Sequence, residues 1–293
     1  RQMCIRDSRY WDLPFAVSLA AGATTRAVYH LCLPPPDPVP RWMRPMLARV
    51  DATVSVSDHT LDLWRDTGLR ADRAAVALTS VDLTTYVPVT DAARARTRVE
   101  LGYGAEDFVV FFAGRLAPEK GVDVLIHAFR RLVERATNCR LLVVGSPTAG
   151  SEPTEAAHFE DRLHALGDGL PITWLPRRDN VVPLLQAADV SVVPSRWEEP
   201  LSRSILEALA CGVPPVASRV GGSPEVLHGW LESYLFEPED SADLALRLAA
   251  LHGWRTHDSA LGERCRRYAE EHLAPGRELD LVEEALRGEA RPR

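Results

Sequence analysis

The chain has 293 residues, 46% of them hydrophobic and 26% charged, with a formal net charge of −7. Such values fit a globular protein of one large or two medium domains, exclude a small stapled scaffold, and argue against a general nucleic-acid binder. No apolar run approaches the roughly 20 residues a membrane helix needs, and the five Cys lie far apart without a C-x-x-C pair, so neither a zinc ribbon nor a disulfide framework is indicated and a cytoplasmic location is expected.

In chain order, the first residues stand apart. Met3-Cys4-Ile5-Arg6-Asp7-Ser8 resembles a translated sequencing-library adapter. Residues 1–8 are therefore set outside the fold, and a natural N-terminal portion is expected to be missing. Next come a helix over Leu13–Gly22, a strand over Ala27–Leu33 closed by Pro34-Pro35-Pro36, and a helix over Arg41–Val50. A strand at Ala52–Val56, a helix at Asp58–Gly68 capped by Ser57 or Asp58, and a short strand at Ala74–Leu78 follow. Residues 9–86 thus read as the remnant of an α/β domain, with Asp82–Arg94 as linker.

From Phe108 to Pro215 short continuous apolar runs alternate with helical patterns. The runs are Val109–Ala113, Leu141–Gly145, Ile172–Leu175, Val190–Pro194 and Pro215–Ser218, and they read as strands buried on both faces. Helices are expected at Val122–Arg135, where Leu125, Phe129 and Leu132 share a face, and at Pro183–Ala188 and Ser202–Ala210. Such alternation implies a doubly wound parallel sheet, assigned to residues 87–262. Later helices span Ala242–Leu251, Gly262–Leu273 and Arg277–Leu286, the last two parted by Pro275-Gly276. Residues 263–293 are expected to cross back to the N-terminal domain.

Four segments carry candidate chemistry. In the first, Phe111–Gly121 (FFAGRLAPEKG), a strand end leads into a helix. Ligands of doubly wound sheets lie at the carboxyl ends of strands, so Arg115 and Lys120 are two cations placed where a pyrophosphate would sit. Gly114 and Gly121 allow close backbone approach. Lys120 is the only lysine among 34 basic residues, and its compact ammonium differs chemically from the planar fork of arginine. Taken alone, the segment reads first as a solvated connection with surface charges.

The second segment runs from Pro194 to Gly212 and separates Glu199 from Glu207 by seven residues. The backbone N–H groups of Leu201, Ser202 and Arg203 open a helix there and are suited to phosphate oxygens. Glu207 falls beside Ile205, Leu206 and Leu209, where a carboxylate needs a partner. A capping Glu and a surface Glu are the plain alternative. The third segment, Ser218–Glu225 (SRVGGSPE), and the fourth, Val76–Asp82 (VALTSVD), are a glycine turn and a connection when read in isolation. Nine His without an H-E-x-x-H pattern give no metal site, and neither G-x-S-x-G nor G-x-G-x-x-G occurs.

In order and spacing, the four segments together resemble the retaining glycosyltransferases of family four. FAGRLAPEKG is similar to that family's phosphate segment, the Glu199…Glu207 pair to its two-glutamate signature, VGGSPE to the loop that follows, and LTSVDLTTYVP to its linker. The resemblance implies a GT-B fold of two Rossmann-like domains, the first incomplete here. It implies that Arg115 and Lys120 bind the donor diphosphate and stabilise the leaving group, that Glu199 contacts the donor sugar, and that Glu207 binds the ribose. Gly114, Leu201, Ser202 and Arg203 would add backbone contacts. Arg115, Lys120, Glu199 and Glu207 are expected to face one interdomain crevice.

The implied activity is transfer of a sugar from a nucleotide-diphosphate sugar to a glycan, lipid-linked or small-molecule acceptor, without metal, cofactor or nucleic acid. Peripheral contact with a membrane is left open. The alternative is a non-catalytic nucleotide-sugar-binding module, divergent or inactive through truncation. Ser202 stands where many members have Gly, and Ser80 where many have Asn. His30, at a strand end, reads as an ordinary strand-end histidine or as a residue facing the crevice.

Overall fold

The computed structural model describes residues 2–5, 26–69, 74–147, 153–287 and 289. The expected helix at Leu13–Gly22 lies outside them. The chain divides into two compact units. The first comprises Arg1–Ser80, Glu199–Leu201 and Leu273–Arg293, and the second Val81–Glu198 and Ser202–His272. The units exchange chain at Ser80–Val81, where the sequence reading had placed the change after residue 86.

In the first unit, β1 (Gln2–Ile5), β2 (Arg26–Leu31), β3 (Ala52–Ser55) and β4 (Ala74–Val76) form a parallel sheet in sequential order. The Gln2–Ile5 segment, set outside the fold by the sequence reading, pairs in parallel with β2. Helix α1 (Met43–Leu47) follows β2, and α2 (Asp58–Arg65) follows β3. Ser57 caps α2, its Oγ accepting from the Thr60 amide at 3.0 Å. One face of the sheet packs Tyr29, Leu31 and Val76 against Met43, Leu47 and Trp64. Trp64 is fully buried, its indole N–H donates to the Leu33 carbonyl at 2.8 Å, and Tyr29 meets it edge-on at 5.7 Å.

The other face, lined by Val28, Ala52 and Val54, is covered by the last helix among the described residues, through Leu281, Val282, Ala285 and Leu286. That helix, α12, spans Pro275–Arg287. Pro275 and Gly276, expected to separate two helices, are instead its first turn, because proline's fixed φ suits the first helical position and its missing N–H is not needed there. His30, two residues from Val28 along β2, is buried in this sheet.

The second unit holds β5 (Phe108–Ala113), β6 (Cys139–Val144), β7 (Ile172–Leu175), β8 (Val190–Val193), β9 (Pro215–Ser218) and β10 (Leu235–Phe236). All pairings are parallel, and the spatial order is β10-β9-β8-β5-β6-β7. The order reverses between β5 and β8, which makes that gap the topological switch point.

Helices α3 (Asp91–Glu100), α4 (Val122–Val133), α5 (Pro153–Leu166), α6 (Val182–Ala187), α7 (Arg203–Ala210), α8 (Ser223–Val226), α9 (Ser241–Leu251), α10 (Trp254–His257) and α11 (Leu261–His272) complete the unit. Helix α4 buries Val122, Leu125, Ile126, Phe129 and Leu132, the i, i+3, i+4 stripe of an amphipathic helix, and packs on α9. Helix α11 packs on α7, so residues 263–272 stay with the second unit and the chain returns to the first at Leu273. The cause is polar as well as apolar. Arg266 of α11 donates to the Tyr86, Ala210 and Leu83 carbonyls, and the Tyr268 hydroxyl donates to the Val226 carbonyl at 2.6 Å.

Buried Asp189, just before β8, gathers Arg98 and Arg94 of α3 and Arg255 of α10 on one carboxylate, which also accepts from the Val109 amide. Among the described residues no helix is long and apolar enough to cross a membrane, and no group of three or more His, Cys, Asp or Glu could hold a metal ion.

Candidate functional site

The two strands flanking the switch point, β5 and β8, release the chain directly into the two segments singled out in the sequence. After β5 come Gly114, Arg115 and a 3₁₀ turn, Pro118–Lys120; after β8 comes Pro194–Glu198. These loops are locked together. The Arg196 amide donates to the Glu119 carbonyl at 2.9 Å, and the Trp197 amide shares the same acceptor at 3.4 Å.

The Arg196 side chain completes the lock. It forks onto Asp123 at 2.8 and 2.7 Å, reaches the Pro118 carbonyl at 2.8 Å, and meets Glu239 at 2.6 Å. Glu239 holds a left-handed backbone at φ 63°, uncommon for a residue with a side chain. Burial alone would raise the Asp123 pKa, but the bonds and charge of Arg196 outweigh it and hold the carboxyl below its ordinary range.

Two glycines explain how the backbones come so close. Gly121 adopts φ 66°, and a Cβ there would lie 1.9 Å from the Pro194 carbonyl oxygen. A Cβ on Gly145, just after β6, would lie 2.0 Å from the Gly114 carbonyl oxygen. Side chains are excluded at both positions by backbone that cannot yield. The third glycine segment is tied in as well, since the Ser218 hydroxyl at the end of β9 donates to the Ser195 carbonyl at 2.6 Å.

On this frame Lys120 is half-buried, its Nζ 5.9 Å from the centre of the Trp197 ring. Arg115 is exposed and pairs with Glu119 at 2.9 Å. Ser202 opens α7 with φ −81°, a conformation any residue adopts, so serine is accommodated there without backbone strain. Arg203 lies one turn from Glu207 at 3.5 Å.

Glu207 has the partner its apolar surroundings demand. The Tyr86 hydroxyl donates to its carboxylate, Arg203 adds charge, and burial still raises the pKa of the group above the ordinary carboxylate value. The Tyr86 hydroxyl is in turn pushed up to about 12, by burial first and then by the Glu207 charge. Glu199, buried, groups with Pro200 and Leu201 in the first unit, whereas Arg115, Lys120, Ser202, Arg203 and Glu207 belong to the second.

In the first unit the Ser80 amide and hydroxyl both donate to Glu278 of α12, at 2.9 and 2.6 Å. The sequence reading missed Arg196, Asp123, Glu239, Tyr86 and Gly145. Arg196 stood inside a quoted segment, but its acceptors are scattered along the chain. The need of Glu207 for a partner was legible, whereas the identity of that partner was not.

Residues 93–272 match the family model described as glycosyl transferases group 1. The D-inositol 3-phosphate glycosyltransferase of Corynebacterium efficiens is 36% identical over 202 residues, covering 68% of this chain and 47% of that protein. Its counterpart in Rhodococcus jostii is 31% identical over 280 residues, covering 91% of this chain and 60% of that protein. Spore coat protein SA of Bacillus subtilis is 32% identical over 202 residues, covering 66% of this chain and 53% of that protein. The chain thus spans about half to three fifths of the length of these relatives.

Among solved structures, Anabaena HepE in complex with UDP and glucose superposes with a TM-score of 0.82 at 23% identity, covering 95% of this chain and 76% of that one. Sucrose-phosphate synthase from Thermosynechococcus elongatus gives 0.75 at 21% identity, covering 96% and 71%. At these identities the likeness establishes the shared GT-B fold. With a family model matched over more than half its length, the chain belongs to the glycosyl transferases group 1 family.

Proposed function

We propose that this chain carries the donor-binding part of a retaining glycosyltransferase that uses a nucleoside-diphosphate sugar and a small-molecule acceptor. The observation that carries the proposal is the locking together of the Gly114–Lys120 and Pro194–Glu198 segments at the switch point of the second sheet. A diphosphate set there meets the Lys120 ammonium and the Arg115 guanidinium. As the glycosidic C–O bond breaks, its electron pair moves onto the diphosphate oxygen, and fixed cations aimed at that oxygen stabilise the developing charge. Two such cations supply what a divalent metal would otherwise provide. The acceptor hydroxyl forms the new bond to the same carbon and releases its proton, and no protein nucleophile is assigned.

Glu207 is assigned to the ribose hydroxyls, which its carboxylate accepts alongside the Tyr86 hydroxyl. Gly114 and the amides of Leu201, Ser202 and Arg203 are assigned to backbone contacts, and Glu199 to the donor sugar. The names of the actinobacterial relatives support a small-molecule acceptor, and the UDP held by HepE supports a uridine nucleotide.

Calorimetric titration with UDP, GDP and ADP tests the binding. Lys120→Ala, which removes a half-buried side chain, is expected to lower diphosphate affinity about tenfold or more, some 1.4 kcal/mol, with an unchanged denaturation midpoint. Unchanged affinity removes Lys120 from the site. For Glu199→Gln, sugar transfer is expected to fall more than nucleotide binding, and full turnover by that variant contradicts its role.

A further inference from the structure

A polar cavity of about 630 Å³ lies in the second unit at the edge of the sheet away from the donor-binding segments, beside Asp189 before β8 and Gly212 before β9. The donor-binding segments follow the carboxyl ends of the strands, whereas this cavity sits at their amino ends. Arg94 of α3, Arg255 of α10 and Arg267 of α11 line it. We propose that this cavity binds a small tetrahedral oxyanion, a phosphate or phosphate monoester, through these three arginines.

The charges behind the cavity wall do not balance. Arg94, Arg98 and Arg255 all pair with the single carboxylate of Asp189. Arg98 is only 2% exposed, and it places its Nε on the Ala187 carbonyl and its Nη1 on the Gly104, Ala105 and Asp107 carbonyls. Arg94 has no such relief. Its Nε is buried without a hydrogen-bond partner, a rare and costly state for a charged donor. Arg255 commits Nε to Asp189 and Nη2 to the Ala188 carbonyl, and its Nη1 makes no hydrogen bond among the described residues.

Arg267, exposed, has no acceptor among the described residues. Burial lowers the Arg94 pKa to about 10, with Arg255 and Arg98 adding to the effect and Asp189 and Asp91 opposing it. The acidic residues lining the cavity, Asp91, Glu263 and Glu270, are exposed to solvent that screens them, and Glu270 already pairs with Arg266.

Planar guanidinium forks match the oxygens of a phosphate better than they match a halide. A bound oxyanion would bridge α3, α10 and α11 at one edge of the sheet, so it should also stabilise the second unit. The inference rests on the Asp189 cluster and is independent of the proposed function.

The test is calorimetric titration of the whole chain with inorganic phosphate, and separately with glycerol 3-phosphate, at matched ionic strength with chloride as control. One phosphate per chain is expected to bind, and binding of the ester as well extends the class to monoesters. Affinity should fall about tenfold or more in Arg94→Gln and at least about threefold in Arg267→Gln, an exposed position whose change leaves the fold intact. It should be unchanged in Lys120→Ala. Absence of binding up to about 10 mM, near the weak limit of specific recognition, overturns the proposal. So does equal binding of chloride, or binding lost in Lys120→Ala but kept in both arginine variants.

Discussion

Gly121→Ala tests the frame on which the donor-binding reading stands. At φ 66° an alanine costs about 1–2 kcal/mol relative to an ordinary backbone conformation. Its Cβ would also lie 1.9 Å from the Pro194 carbonyl oxygen, against a floor of 3.0 Å for real contacts, so the two loops must part by about 1 Å. That movement pulls on the bonds from the Arg196 and Trp197 amides to the Glu119 carbonyl and displaces the adjoining Lys120. Misplacing a ligand-holding group by about 1 Å costs up to roughly 100-fold in function. We therefore expect the variant to lose at least about 1–2 kcal/mol of stability and to bind UDP at least about tenfold more weakly. Urea denaturation and calorimetry measure the two effects separately. A variant with the wild-type midpoint would refute the claim that these backbones touch. A variant that loses stability yet binds UDP with unchanged affinity would refute the claim that the lock positions Lys120.

Asp189→Asn should destabilise the chain by about 3–5 kcal/mol, because it strands the buried Arg98 guanidinium beside two more cations; a urea-derived loss below about 1 kcal/mol would contradict this. Glu207→Gln should separate stability from binding. Burial raises the Glu207 pKa in the folded chain, so that chain holds a proton the unfolded chain has released, and stability falls as pH rises from the ordinary carboxylate value through the raised one. Glutamine does not ionise. The variant should therefore gain stability relative to wild type as pH rises through that window, while its UDP affinity falls. Urea midpoints measured across the acid range check the sign, and an advantage that shrinks with rising pH would reverse the argument.

Strands β5 to β9 of the second unit were legible because each is a short, mainly apolar run, fully buried in β8 and β9 and half-buried in β7 at the sheet edge, and Ile172–Leu175 and Pro215–Ser218 coincide with the expected bounds. Helix α3 was not legible. Its sequence, DAARARTRVE, carries no apolar stripe, and its buried residue is Arg98, held by Asp189 far along the chain. A helix anchored by a guanidinium leaves no hydrophobic period to read. Helix α5 was missed as well, and β10 is only two residues long.

The candidate site followed the same division. Arg115 and Lys120 stood out by residue type after a strand end, and Glu207 by its place beside Ile205, Leu206 and Leu209 within a helix. Arg196, which fastens the segments, looks in sequence like any other arginine in an arginine-rich chain. Only the fold brings Asp123, Pro118 and Glu239 around it.

The first unit is assembled from three separate stretches of chain, and Glu278 bonds Ser80 across 198 positions. During synthesis from the N-terminus, the sheet face of Val28, Ala52 and Val54 lacks the cover of Leu281, Val282, Ala285 and Leu286 until α12 emerges. The second unit, nearly continuous, can finish first. Synthesis therefore sets the order in which the two units mature, and a nascent chain stopped short of residue 275 leaves that sheet face without its α12 cover, a surface for chaperones to shield.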